Sequence, residues 1–315
     1  MLIIDGHCDT ILDIVNKKRR LGEKSNIGHV DLPRLREAGV NVQFFALFVE
    51  SIFKPHNSLL RVMQMIDTLY EEAELNAKYL NVVTTQRELK QNIEKNEQVA
   101  AIISIEGGEA LEGDIGVLKC LFKLGVRSLG LTWNQRNALA DGVGEGDNAG
   151  GLSSFGKQVV REMNDLGIIV DLAHIAEKGF WDVLDITTKP VLVSHANCKS
   201  VWNHRRNITD KQIKALAAIE GVVGVTFVPD FVGEKPSIVK LVEHIDHICQ
   251  VVGNANHVGI GSDFDGTESI VEGLEDVTKL QNLIKALEHH GFSAEDISKI
   301  MGKNMLRVLM ANLPV

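Results

Sequence analysis

The chain has 315 residues, of which 44% are hydrophobic and 24% charged, with a net charge of −9. That is the balance of a soluble globular protein with room for a large core, and net acidity without a basic stripe argues against a nucleic-acid partner. No apolar run approaches the ~20 residues of a membrane span, and the N-terminus lacks the basic region, apolar core and cleavage site of a signal peptide, which predicts a cytoplasmic protein.

The elements alternate along the chain. Ile3-Ile4 reads as a first strand, ending in an Asp5-Gly6 turn that delivers His7 and Asp9. Residues two apart in an extended segment share a side. Residues 31–36 read as a helix start, with Pro33 in the first turn. An apolar strand over 42–49 is followed by helical spacing over 58–80 and a buried strand over 99–105. A helix closes over 118–124, and a strand follows over 126–132. Four further pairs follow: helix 154–166 with strand 168–172, helix 177–184 with strand 191–194, helix 210–218 with strand 222–227, and helix 237–251 with strand 257–261. A helix over 276–289 and two short helices from about Ser293 and Lys303 finish the chain.

That makes eight strands. Strands apolar throughout are buried on both faces, which implies a parallel sheet covered by helices. Eight βα units over this length fit a closed (β/α)8 TIM barrel, with an open doubly wound sheet as the alternative. No linker or low-complexity segment divides the chain, so residues 1–315 read as a single domain. Four cysteines, Cys8, Cys120, Cys198 and Cys249, form no Cys-x-x-Cys pair and read as reduced; Cys8 should point away from His7 and Asp9.

In a barrel, chemistry sits at the C-terminal strand ends. There the sequence places His7 and Asp9, Glu106, Asp171 and His174, His195, and Asp263 with Asp265. Each alone has an ordinary explanation as a hydrogen-bonded histidine, a helix cap or a turn former. Converging on one mouth, they would crowd acids and imidazoles together, which is costly unless cations neutralise them. The donors exceed the needs of one open tetrahedral zinc and favour two metals ~3.5–4 Å apart, with Glu106 as the bridge. Residues 140–147 resemble a glycine-rich nucleotide loop but are acidic, and read as a flexible loop at the mouth. Asp263-Phe264-Asp265-Gly266 lacks the further ligands of a calcium loop. Arg205-Arg206-Asn207 offers a guanidinium suited to a substrate carboxylate.

The motifs Asp5-Gly6-His7-Cys8-Asp9, Val30-Asp31-Leu32-Pro33-Arg34-Leu35, Ile105-Glu106-Gly107-Gly108, Val170-Asp171-Leu172-Ala173-His174, Val193-Ser194-His195, Arg205-Arg206-Asn207 and Gly261-Ser262-Asp263-Phe264-Asp265-Gly266 run in order over almost the whole chain. Together they resemble the renal (membrane) dipeptidase family of the amidohydrolase superfamily. The resemblance implies a (β/α)8 barrel with two zinc ions. His7 and Asp9 would bind one, Glu106 would bridge, and His174 and His195 would bind the other. It implies Asp263 as general base beside a metal-bridging hydroxide, and Arg206 on the C-terminal carboxylate of a dipeptide, which can include a D-residue. It also implies a homodimer, since the family often forms one. Where the animal enzymes carry a substrate-binding histidine after strand four, this chain has Trp133 followed by Asn134, so these two are the substrate-side residues to examine. The animal enzymes' secretory and lipid-anchoring segments have no counterpart here, so no membrane partner is expected. A related reaction on N-acyl amino acids or lactams, and a non-catalytic metal-binding barrel, are the alternatives.

Overall fold

Apolar strands need cover on both faces, and helices supply it. The computed structural model describes residues 1–315. Strand β1 (Ile4–Cys8) leads through α1 (Thr10–Val15) and α2 (Leu32–Ala38) to β2 (Val42–Phe48). Helix α3 (Ser58–Leu75), strand β3 (Leu80–Val82) and helix α4 (Gln86–Lys95) precede β4 (Val99–Glu106). Then α5 (Ile115–Lys123), β5 (Val126–Gly130), α6 (Ser154–Leu166), β6 (Ile169–Asp171), α7 (Glu177–Leu184), β7 (Leu192–Val193), α8 (Asp210–Ala218) and β8 (Val222–Val225) alternate. Helices α9 (Pro229–Val232) and α10 (Ile238–Val252) lead to β9 (Val258–Ile260), and α11 (Leu280–His290), α12 (Ala294–Ser298) and α13 (Asn304–Asn312) complete the chain.

Every strand pairing is parallel. Strands β1, β2 and β4 to β9 close into a ring of eight. Strand β2 runs beside β4 from Val42↔Ala100 to Phe48↔Glu106, and β1 meets β9 at Asp5↔Ile260. The fold is the (β/α)8 barrel that the alternation implies. No helix is long and apolar enough to cross a membrane.

Besides the short helices α1 and α9, which the sequence pattern does not mark, three local features differ from it. The helical spacing over 58–80 ends at Leu75, because the chain turns at Asn76 and Leu80 enters a short ninth strand beside the start of β4. Helix α4 has no counterpart among the expected elements. It buries only Leu89 and Asn92, so it carries no apolar stripe. Its signature is a capping box: the Glu88 backbone N–H donates to Thr85 Oγ1 (3.2 Å), and the Thr85 N–H donates to Glu88 Oε2 (3.0 Å). Finally, the two short C-terminal helices are one run, because a π-helical stretch, Lys299–Lys303, joins α12 to α13 without a break.

The core has two parts. A large layer lies between strands and helices. A smaller cluster joins Ile4, Val42, Phe44, Ala100, Ile102, Ile169, Leu192 and Val222 of the strands to Met305, Val308, Leu309 and Leu313. The last helix thereby plugs the N-terminal end of the barrel, each large buried side chain contributing about 1.5–3 kcal/mol relative to exposure. Near the other end, glycine makes room. A Cβ on Gly224 or Gly261 would stand 2.0 or 1.7 Å from the Ser194 carbonyl oxygen. That oxygen is backbone and cannot swing away.

Gly261→Ala should therefore destabilise the protein by about 1–3 kcal/mol through overpacking. Thr85→Ala, remote from the mouth, should cost about 1 kcal/mol. Urea unfolding of both variants checks these values; a neutral Gly261→Ala would contradict the close approach to Ser194.

Candidate metal centre

The strand ends meet at the C-terminal mouth. Between Asp5 and Cys8 the pairing of β1 with β2 slips by one residue. Such a bulge re-aims side chains. His7 packs against His195, ring centroids 3.8 Å apart, while Cys8 enters the layer beneath the helices, in keeping with its alternation with His7 and Asp9. Buried Asp5 fixes this end of β1: its carboxylate accepts from the Ser262 N–H (2.8 Å), the Ser262 hydroxyl (2.6 Å) and Gln43 Nε2 (3.0 Å). Asp265 ties the next turn, accepting from Thr10 Oγ1 and from Arg19 Nη2, both at 2.6 Å.

His174, Asp263 and Asp265 all have left-handed backbone, with φ of 65°, 64° and 66°. That conformation costs L-residues about 1–2 kcal/mol each. Such strain persists where surrounding contacts over-determine it, and it clusters at functional sites.

Glu106 is the centre of the group. Its Oε2 lies 3.6 Å from His7 Nε2, and its Oε1 lies 2.9 Å from His174 Nε2 and 3.6 Å from His195 Nε2. The two oxygens of one carboxylate thus face different histidines. His7 Nε2 is also 3.3 Å from Asp9 Oδ2 and 3.8 Å from Asp263 Oδ1. Three overlapping groups of donors result: His7, Asp9 and Glu106; Glu106, His174 and His195; and His7, His195 and Asp263. All are buried or nearly so.

The imidazole tautomers follow from their neighbours. The Ser194 hydroxyl donates its one proton to Asp171 Oδ2 (2.5 Å), so towards His195 Nδ1, 2.8 Å away, it can only accept. His195 therefore carries its proton on Nδ1. His174 Nδ1 lies 2.8 Å from Asn134 Oδ1, an acceptor, and is likewise the protonated nitrogen. Burial, reinforced by the positive charges of Arg206 and His7, holds both groups well below the usual histidine range, so both rings are neutral. Their bare Nε2 atoms then face each other at 2.8 Å, beside Glu106 Oε1. With Glu106 ionised these are acceptors crowded without a donor, which is unfavourable in a buried site. Both nitrogens of His7 are also buried without a hydrogen-bond partner.

A divalent cation resolves this. Donors sharing a tetrahedral ion at ~2.1 Å stand about 3.4 Å apart. Most of the separations around His7 and Glu106 lie near that value. Charge in the bare cluster is correspondingly displaced. Burial and Asp9 push the Glu106 carboxyl well above its ordinary range, and burial lifts Asp263 to about 7. Burial disfavours the His7 imidazolium, but Glu106, Asp9 and Asp263 outweigh it and raise that group to about 10.

The group opens into a cavity of about 310 Å³, lined among others by Asp9, Glu106, Trp133, Asn134, Arg206 and Asp263. Arg206 is buried while Arg205 is exposed. The Arg206 Nη2 donates to the His195 carbonyl (2.9 Å), and its Nε is buried without a partner. Burial lowers its pKa to about 10, against the pull of Asp263, Glu106 and Asp171. Trp133 forms a wall with Phe48, ring centroids 5.1 Å apart, and Lys54 Nζ sits over both rings while pairing with Glu109 Oε1 (2.9 Å). Asn134 lines the cavity too, with its Oδ1 engaged by His174. The acidic loop over 140–147 is tethered: Arg136 pairs with Asp141, and the Val143 and Gly144 N–H groups donate to the carbonyls of His174 and Asn134.

Every residue expected at the metal site or on its substrate side thus lines one mouth. Sequence reasoning assigns no role to Asp171, Ser194 or Lys54. The first two stand inside the motifs, so a signal is present; for Lys54 there is none.

Residues 1–313 match the family model for membrane dipeptidase, peptidase family M19. A dipeptidase of Schizosaccharomyces pombe is 33% identical, across 97% of this chain and 80% of its own. Among solved structures, a metallopeptidase from Rhodobacter sphaeroides, liganded with a phosphinate mimic of the dipeptide L-Ala-D-Ala, superposes with a TM-score of 0.93 at 28% identity, covering 99% of each chain. Dipeptidase AC, an M19 metallopeptidase, gives 0.94 at 30% identity, covering 100% of this chain and 99% of its own. With its barrel, its strand-end donors and a match along its whole length, the chain belongs to the membrane dipeptidase family, peptidase family M19.

Proposed function

We propose that this protein is a two-zinc dipeptidase that cleaves dipeptides bearing a free C-terminal carboxylate, C-terminal D-residues included. The observation that carries the reading is Glu106, whose two carboxylate oxygens face two separate groups of donors. His7 and Asp9 would hold one ion with Glu106 Oε2, and His174 and His195 the other with Glu106 Oε1. The R. sphaeroides relative bound to an L-Ala-D-Ala mimic supports the substrate class.

Divalent ions bound here would supply Lewis acidity toward the scissile carbonyl and lower the pKa of water toward ~7. The chain's own groups do the rest. Asp263, inside the mouth, accepts the proton of the attacking water on its carboxylate and returns it to the leaving amine nitrogen. Arg206 brings a buried guanidinium with a free Nε to the same cavity, suited to a carboxylate. Trp133 and Phe48 form an apolar wall that limits water, in place of the polar contact a histidine would offer at position 133.

Metal analysis of protein purified without added metal should find about two zinc ions per chain. Hydrolysis of L-Ala-L-Ala and L-Ala-D-Ala should vanish with chelator and return with zinc. No metal, and no activity after zinc is supplied, would sink the reading. Asp263→Asn should keep both ions while kcat falls by about 10²–10⁴; loss of an ion would make Asp263 a ligand instead of a base. Converting the C-terminal carboxylate of the dipeptide to an amide should lower kcat/KM about ten- to hundred-fold, the worth of a charge-assisted contact. Equal hydrolysis of the amide would remove Arg206 from that role.

A further inference from the structure

His195 turns its Nε2 toward His174 and Glu106, and a second set of buried groups lies behind its Nδ1. Asp171 is 3% exposed and Ser194 1% exposed, so neither meets solvent or substrate. Asp171 Oδ1 accepts from two backbone N–H groups, Ala173 (3.0 Å) and Ser194 (2.9 Å), and Oδ2 accepts from the Ser194 hydroxyl. Every bond of this carboxylate arrives from a donor, so its orientation is fixed by the chain. The hydroxyl has one proton and spends it on Asp171, which leaves its lone pairs for His195 Nδ1 at 2.8 Å.

We propose that Asp171, acting through Ser194, is a positioning residue that fixes the tautomer of His195. The relay forces the imidazole proton onto Nδ1 and keeps the Nε2 lone pair facing the neighbouring His174 Nε2 and Glu106 Oε1. Asn134 does the same for His174 from the other side. His7, by contrast, has no partner on Nδ1. The two halves of the centre are therefore unequal: an ion between His174 and His195 would meet two imidazoles whose tautomers are fixed from behind, and an ion at His7 and Asp9 would meet one whose Nδ1 has no such partner. Outer groups that orient ligating histidines are typically worth about 10–100-fold in metal affinity.

The inference rests on the two-ion reading of the site, and the test separates the two. In Asp171→Asn, the amide oxygen can keep both backbone bonds while its nitrogen replaces Oδ2. The nitrogen then donates to the Ser194 hydroxyl, which must turn its proton on His195 Nδ1. The ring is driven to the wrong tautomer with no bond lost and little change in shape. Zinc would be titrated out of loaded wild-type and variant enzyme with a chromophoric chelator. In parallel, ¹⁵N-histidine spectra of the zinc-free proteins would report which His195 nitrogen carries the proton.

One of the two ions should bind about 10–100-fold more weakly in Asp171→Asn, with the His195 Nδ1–H signal lost. The double variant Asp171→Asn/Ser194→Ala has the same charge but no donor facing Nδ1. It should recover part of the lost affinity, whereas a merely structural role predicts that the second change makes matters worse. Ser194→Ala alone, the variant least able to disturb folding, should weaken the same ion by less than Asp171→Asn. Unchanged affinity for both ions in Asp171→Asn, or a double variant weaker than the single one, would overturn the relay. A wild-type protein that takes up no zinc would overturn the two-ion reading, and the relay with it.

Discussion

Two bare imidazole nitrogens 2.8 Å apart, beside a carboxylate oxygen, are the constraint from which the rest of the mouth follows. None of the three atoms can donate to another while the rings are neutral and Glu106 is ionised. In a low-dielectric interior such an arrangement costs several kcal/mol, and it relaxes by rotation or protonation unless something prevents both. Here the surroundings prevent rotation. Asn134 and Ser194 grip the far sides of the rings, and His7 packs at a tilt against His195. The large apolar core of the barrel is what can carry this local cost.

The ligand candidates are legible in the amino-acid sequence because each interrupts or ends an apolar run. In a closed parallel barrel those ends have only one place to go. His7, Asp9, Glu106, His174, His195 and Asp263 need only the barrel to be brought together. Direction of hydrogen bonding is not legible in this way. That Asn134 faces a histidine nitrogen, and that Ser194 accepts from His195 because it donates to Asp171, depends on neighbours 40 and 23 positions away. Helix α4 and strand β3 escape for a different reason. One is too polar to show a buried stripe, and the other is three residues long and continues the apolar spacing of the helix before it.

The cavity has a charged floor and an aromatic side. Asp9, Glu106, Asp263 and Arg206 make the floor, and Trp133 with Phe48 makes the side, with a lysine held across both rings by Glu109. The floor is suited to the reacting groups common to all dipeptides. In the proposed reading the wall would face what differs between them. Position 133 also sits one residue before Asn134, which engages His174 Nδ1, so the same short segment shapes both the aromatic side of the cavity and one of the clustered histidines.

The ring closes between its first strand and its last, where Ser262 is bonded to Asp5 across 257 positions of chain. His7 and Asp9 stand at the end of β1, and Asp263 follows 254 positions after Asp9. The helix that stops the far end follows later still. Synthesis proceeds from the N-terminus, and contacts of such long sequence separation form slowly. Until β9 pairs with β1 the ring is open, and His7 lacks Asp263 beside it. On the two-ion reading, the site that would hold both ions is complete only once the ring has closed.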